Sequence, residues 1–127
     1  TQHTNSDRIR QDRLQAHAIE AAEQCGATYV PGVTDLQHLD KLLAKWPDDR
    51  RLYWCDETAF GQPASIAPAT GPPAILIGPE GGFSDKERAY LRGLPFVTPV
   101  GLGPRILRAE TAALALLTLW QAHLGDW

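Results

Sequence analysis

The sequence predicts an α/β fold built on a parallel sheet. Short apolar runs, LYWC at 52–55, AILI at 74–77 and FVTPV at 96–100, alternate with stretches of helical period. AILI is apolar on both faces, as a central parallel strand covered by helices must be. The 127 residues are one domain's worth, and 43% apolar residues suffice for a core.

Each element has a local reason. At 7–25, Ile9, Leu14, Ala18, Ala21, Ala22 and Cys25 approximate one helix face, and Gly26 supplies the stop. TYVPGV at 28–33 is β-branched and aromatic, so a short strand ended by Pro31 is expected. Leu36, Leu39, Leu42, Leu43 and Trp46 predict a second helix over 35–46, and PDDRR a turn. Residues 61–73 hold four prolines and two glycines and read as a loop. A helix is expected at 84–93, with Ser84 as N-cap and Glu87 completing a Ser-x-x-Glu capping box. The last helix runs from about 110 to 124. It is apolar nearly all round, which predicts burial on most sides and a subunit interface.

Composition narrows the function classes. The charged fraction of 21% argues against a disordered tail. The strongly apolar stretch at 112–120 is too short to cross a bilayer, and the polar start resembles no signal peptide. A cytoplasmic protein is expected. Net charge −3 is unlike a free-standing nucleic-acid binder. Cys25 and Cys55 form no CxxC pair, and His3, His17, His38 and His123 show no ligand spacing near them. Both cysteines are expected to be free and buried, with no metal bound. With no methionine, the chain is expected to be a fragment or processed product.

Ligands of open α/β sheets bind beyond the carboxyl ends of the strands. Three such ends stand out: Asp56 and Glu57, then 78–82, then 102–108. If the three strands are neighbours, these loops converge on one crevice. In ILIGPEGGF, Gly81 and Gly82 permit positive φ or close approach to a ligand, and Pro79 stiffens the turn. A tight strand-to-helix connection with no ligand is the bland alternative. A phosphate loop fits poorly, since its Lys-Ser/Thr pair is missing and Glu80 would repel phosphate. In GLGPRILRAETAA, Gly101, Gly103 and Pro104 make an irregular backbone that carries Ile106 and Leu107 between Arg105 and Arg108. Apolar groups on such a loop can sandwich a flat aromatic base. Singly, the two arginines also read as solvated surface, and Glu110 as charge matching at a helix start.

LIGPEGGFS followed by LGPRILRAETAALAL, with EAAEQCG upstream, resembles the RsmE-type ribosomal RNA methyltransferases of the knotted SPOUT superfamily. The likeness spans the whole chain, and the two loop motifs together are highly specific. It implies a SPOUT methyltransferase domain over 1–127 with a C-terminal trefoil knot, an exception to the rule that chains stay un-knotted. It implies that the family's N-terminal PUA-like domain and the opening strand–helix–strand are absent here, which fits the acidic balance. It implies methylation of uridine N3 in 16S ribosomal RNA of the small subunit, using S-adenosylmethionine; the homodimer is expected from the apolar last helix. Carried over residue by residue, the cofactor contacts fall on Leu76, Ile77, Gly78, Glu80, Gly81 and Gly82. In the second loop they fall on Leu102, Gly103, Ile106, Leu107, Arg108, Thr111 and Ala112.

Uracil N3 carries a proton that must leave before or during attack on the methyl group. An arginine can steady the developing anion electrostatically, though it is a poor base. Arg108 and Arg105 are the catalytic candidates. Arg108 is preferred because it adjoins the apolar cofactor stretch, and no general base stands out. Rival readings are a knotted methyltransferase for another RNA, a non-catalytic S-adenosylmethionine-binding module, and a bare dimerisation domain.

Overall fold

A computed structural model describes residues 10–59, 66 and 71–127. The described chain falls into two compact units, 10–44 and Lys45–Trp127. In the first, α1 runs Gln11–Cys25 and ends on Gly26, whose φ of 72° places it in the left-handed region. Its N–H reaches back to the carbonyls of Ala22 and Glu23, as a glycine stop should. Residues 7–9 of the expected helix lie outside the described residues.

The strand expected at 28–33 is not formed. That segment runs as an irregular stretch pinned by glutamines of α1. Gln11 Nε2 donates to the Val33 carbonyl at 2.6 Å, Gln15 Nε2 donates to that of Pro31 at 3.1 Å, and the Val33 N–H donates to Gln15 Oε1 at 2.7 Å. Pro31 has no N–H to give a ladder, and side chains satisfy the backbone that a partner strand would have paired. Helix α2 covers only Leu39–Ala44, shorter than the expected 35–46. Trp46 precedes Pro47, and a pre-proline residue is driven out of helical geometry.

The second unit holds the sheet. β1 (Leu52–Cys55), β2 (Ala74–Leu76) and β3 (Val97–Val100) form a parallel sheet in the order β2-β1-β3. Tyr53 sits opposite Ile75 and Thr98, and Trp54 opposite Leu76 and Pro99. The expected parallel α/β architecture is present, with one correction. LYWC, not AILI, is the central strand, and β2 lies at an edge among the described residues. An apolar run shows that a strand is covered, not which neighbours it has. β3 carries Pro99, which an edge position tolerates. Of the loop expected at 61–73, only Ile66 and residues 71–73 are described, and they form no element.

Alternation along β1 divides the core. Tyr53 packs with Val100 and Leu116, joined by the half-buried Cys55, Ile75, Leu102 and Trp120. Trp54 faces the other way and meets Phe83 edge-on at 5.7 Å between ring centroids. Two helices follow the strands. α3 (Asp85–Arg92) begins at Ser84, whose Oγ accepts from the Glu87 N–H at 3.2 Å. The Glu87 carboxylate accepts from the Ser84 N–H at 2.9 Å, so the capping box is complete. α4 (Ala109–Leu124) buries Ala112 and Leu116. The burial expected on most of its sides is not found: Leu114 is 68% and Leu117 45% exposed. The cysteines differ in the same way. Both are free, but Cys25 is exposed at the end of α1 and Cys55 is half-buried rather than buried.

Ser84→Ala removes the cap acceptor of α3 and should cost about 1 kcal/mol of stability. Urea unfolding checks this; an unchanged midpoint would show that the cap contributes nothing to the folded unit.

Candidate cofactor site

Parallel strands lying side by side present their carboxyl ends at one edge. The end of β1 and the turn after it bring Cys55, Asp56 and Glu57, and the segment after β2 brings Ile77, Gly78, Pro79 and Glu80. The loop after β3 adds Leu102, Gly103 and the stretch 105–108, and α4 adds Ala109 and Ala112. Together they enclose a cleft of about 230 Å³. The crevice expected from three neighbouring strand ends is therefore formed.

Most residues read as cofactor contacts line this cleft: Ile77, Gly78 and Glu80 from one loop, Leu102, Gly103, Ile106, Leu107, Arg108 and Ala112 from the other. Arg105 lines it as well. Leu76, Gly81, Gly82 and Thr111 do not. Leu76 belongs to β2, opposite Trp54. Thr111 is exposed on the first turn of α4, and Gly81 is exposed in its loop.

The glycines serve different ends. At Gly78 a Cβ would come within 2.7 Å of the Phe83 ring, so the absent side chain makes room for a core aromatic. Gly82 has φ +65°, and a Cβ there would strike the Glu57 carboxylate. Its N–H donates to the Pro79 carbonyl at 2.8 Å, closing the turn. These two positions answer to the protein's own packing. Gly103 differs: φ is +92° and no described atom lies within 4 Å of its would-be Cβ. There the bare backbone borders open space in the cleft.

Asp56 and Glu57 tie the wall of the cleft to an ionic network that the motifs did not reveal. The Asp56 side chain is 1% exposed. It accepts from Arg88 Nη1 at 3.1 Å and Arg92 Nη2 at 2.6 Å, and from the Thr58 N–H at 2.9 Å and hydroxyl at 2.7 Å. Arg88 also reaches Glu57 and the Phe83 carbonyl. Burial pushes the Asp56 carboxyl up, but the Thr58 and Arg92 hydrogen bonds outweigh it and hold it below the usual value. The legible signal was two acids just past a strand and two arginines four apart on the next helix, hence on one face. Arg105 and Arg108, by contrast, are exposed and have no carboxylate partner among the described residues.

The donor set suits a nucleoside sulfonium. Ile77, Leu102, Leu107 and Ala112 offer apolar walls for a flat base, and Glu57 and Glu80 offer carboxylates to hydroxyls or a cationic centre.

The RNA methyltransferase domain family matches residues 1–121. This chain belongs to that family. Ribosomal RNA small subunit methyltransferase E of Bacillus subtilis strain 168 is 37% identical over 117 residues, which are 86% of this chain and 45% of that protein. The chain thus spans about half the length of the curated relatives it matches. The solved ribosomal RNA small subunit methyltransferase E of Neisseria gonorrhoeae, bound to S-adenosyl methionine, has a TM-score of 0.82 at 32% identity. The match covers 92% of this RNA methyltransferase domain and 48% of that chain. A Legionella pneumophila structure in complex with the bound cofactor SAM has a TM-score of 0.79 at 30% identity, over 96% of this chain and 52% of that one. The resemblance read from the two loop motifs is borne out.

Asp56→Asn leaves two guanidiniums short of their anion and should cost about 3 kcal/mol at neutral pH. A lowered folded-state value means that the carboxylate stabilises above its unfolded value, near 3.9, and ceases to as pH falls through the folded one. The gap between wild type and variant should therefore shrink below about pH 4. Urea unfolding at pH 7 and pH 3 tests this, and an equal gap at both would overturn it.

Proposed function

We propose that this chain is the cofactor-binding part of an S-adenosylmethionine-dependent methyltransferase acting on N3 of a uridine in 16S ribosomal RNA of the small subunit. The observation that carries the reading is the three-loop cleft, in a domain similar to a methyltransferase E solved with S-adenosyl methionine. We read 1–127 as a SPOUT-type domain whose carboxyl-terminal segment forms the trefoil knot, working in the cytoplasm. Leu76, Gly81, Gly82 and Thr111 then belong to the site's frame, and the cleft-lining residues of the two loops supply the direct contacts.

When bound, the cofactor supplies an electrophilic methyl group on sulfur. The chain supplies placement and charge. Ile77, Leu102, Leu107 and Ala112 hold the base and exclude water. Gly103 allows backbone N–H and C=O groups to approach. Arg108, at the residue before α4, bears a guanidinium with no carboxylate to neutralise it among the described residues. It steadies the negative charge that develops on the uracil ring as the N3 proton passes to water. Arg105 lines the same cleft and reinforces that field.

Calorimetry with S-adenosylhomocysteine tests cofactor binding, and methyl transfer to small ribosomal subunits by the longer protein tests the reaction. In that protein Arg108→Ala should lower turnover about a hundredfold while changing cofactor affinity little. Unchanged turnover with weakened binding would make Arg108 a wall of the pocket instead.

Leu114 and Leu117, exposed on α4, are read as part of a homodimer interface. Leu114→Asp with Leu117→Asp should convert a dimer into a monomer by sedimentation velocity at micromolar concentration. Wild-type chain sedimenting as a monomer would overturn this.

A further inference from the structure

Asp56 and Glu57 are neighbours at the end of β1 but have different surroundings. Asp56 is buried, and both its oxygens are taken by donors. Glu57 has a side chain 34% exposed, lines the cleft, and accepts from Arg88 Nη2 at Oε1. Among the described residues its second oxygen receives no donor. A carboxylate has room for about four hydrogen bonds, so Glu57 is held through one oxygen and open through the other.

The holding is specific. Arg88 uses Nε on the Phe83 carbonyl at 3.0 Å, Nη1 on Asp56 at 3.1 Å and Nη2 on Glu57. One planar guanidinium thus fixes three acceptors in a set geometry, which lysine cannot do. The pair also needs space. A Cβ at Gly82 would clash with the Glu57 oxygen, with Arg88 Nη2 at 3.2 Å as a further neighbour. Gly82 does not line the cleft, so its glycine serves the placement of Glu57.

We propose that Glu57 is a ligand-binding residue of the cleft, positioned by Arg88 and Gly82, whose open oxygen accepts hydrogen bonds from a hydroxyl or ammonium group of the bound cofactor. This rests on the cofactor reading above. A carboxylate already locked in place gives up little rotamer freedom when the ligand arrives, so more of the hydrogen bond appears as affinity.

The test is calorimetry on the chain with two probes, S-adenosylhomocysteine and 5′-methylthioadenosine, which lacks the amino-acid tail. Glu57→Gln should weaken S-adenosylhomocysteine about tenfold, as loss of a charge-assisted acceptor does. Its near-ultraviolet circular dichroism should match wild type. Arg88→Lys should also weaken binding, and the double variant E57Q/R88K should bind no worse than E57Q, because the arginine acts through Glu57. An equal loss with methylthioadenosine assigns a ribose hydroxyl as the donor. A loss confined to S-adenosylhomocysteine assigns the ammonium. Wild-type binding of both probes that E57Q leaves within twofold overturns the role of Glu57 alone. Wild-type chain that binds neither probe overturns the cofactor reading and this inference with it.

Discussion

The buried carboxylate of Asp56 is the constraint on which the rest of the unit turns. It stands at the end of the central strand with almost no solvent to share its charge. An uncompensated anion there would cost several kcal/mol, so the surrounding elements have to arrive with donors in place. Thr58 supplies two from the turn itself, and Arg88 and Arg92 supply two from successive turns of α3. Arg92 also lies over the Trp54 ring, 5.8 Å from its centroid, so the ionic and aromatic packing on that face are one structure. The central strand, α3 and the glycine-rich loop that leads into α3 are thereby held in one arrangement.

That arrangement separates two pairs of arginines. Arg88 and Arg92 are committed to the carboxylates of Asp56 and Glu57. Arg105 and Arg108 line the cleft with no carboxylate partner among the described residues. An arginine already paired has little field to offer a reacting group, whereas an unpaired one in a partly enclosed cleft keeps most of it. Cys55 shows the converse. Burial raises the value of its thiol, and the negative charges of Glu57 and Asp56 raise it further. It stays protonated at neutral pH and serves as an inert wall.

α4 reconciles two demands. Its inner face buries Ala112 and, through Leu116, packs on Tyr53 and Val100. Its outer face carries Leu114 and Leu117 into solvent. The same apolar sequence is therefore half core and half open surface.

The sequence by itself determined what depends on near neighbours. The capping box at Ser84 and Glu87, the glycine stop at Gly26, the strand at 52–55 and the two glycine-bearing loops follow from residues a few positions apart. Local rules fail where a distant partner decides. TYVPGV had the composition of a strand, but α1 glutamines take its backbone groups. LYWC and AILI were equally apolar, and only the order of the sheet made the first central. The reason for Gly82 was invisible in GPEGGF, because the group that needs its space is Glu57, twenty-five residues earlier in the chain. The two loop motifs did not single out Arg88 and Arg92, which the fold set on a buried acid. Tertiary structure decided these points because an ion pair or a crowded Cβ depends on proximity in space, which spacing along the chain does not encode.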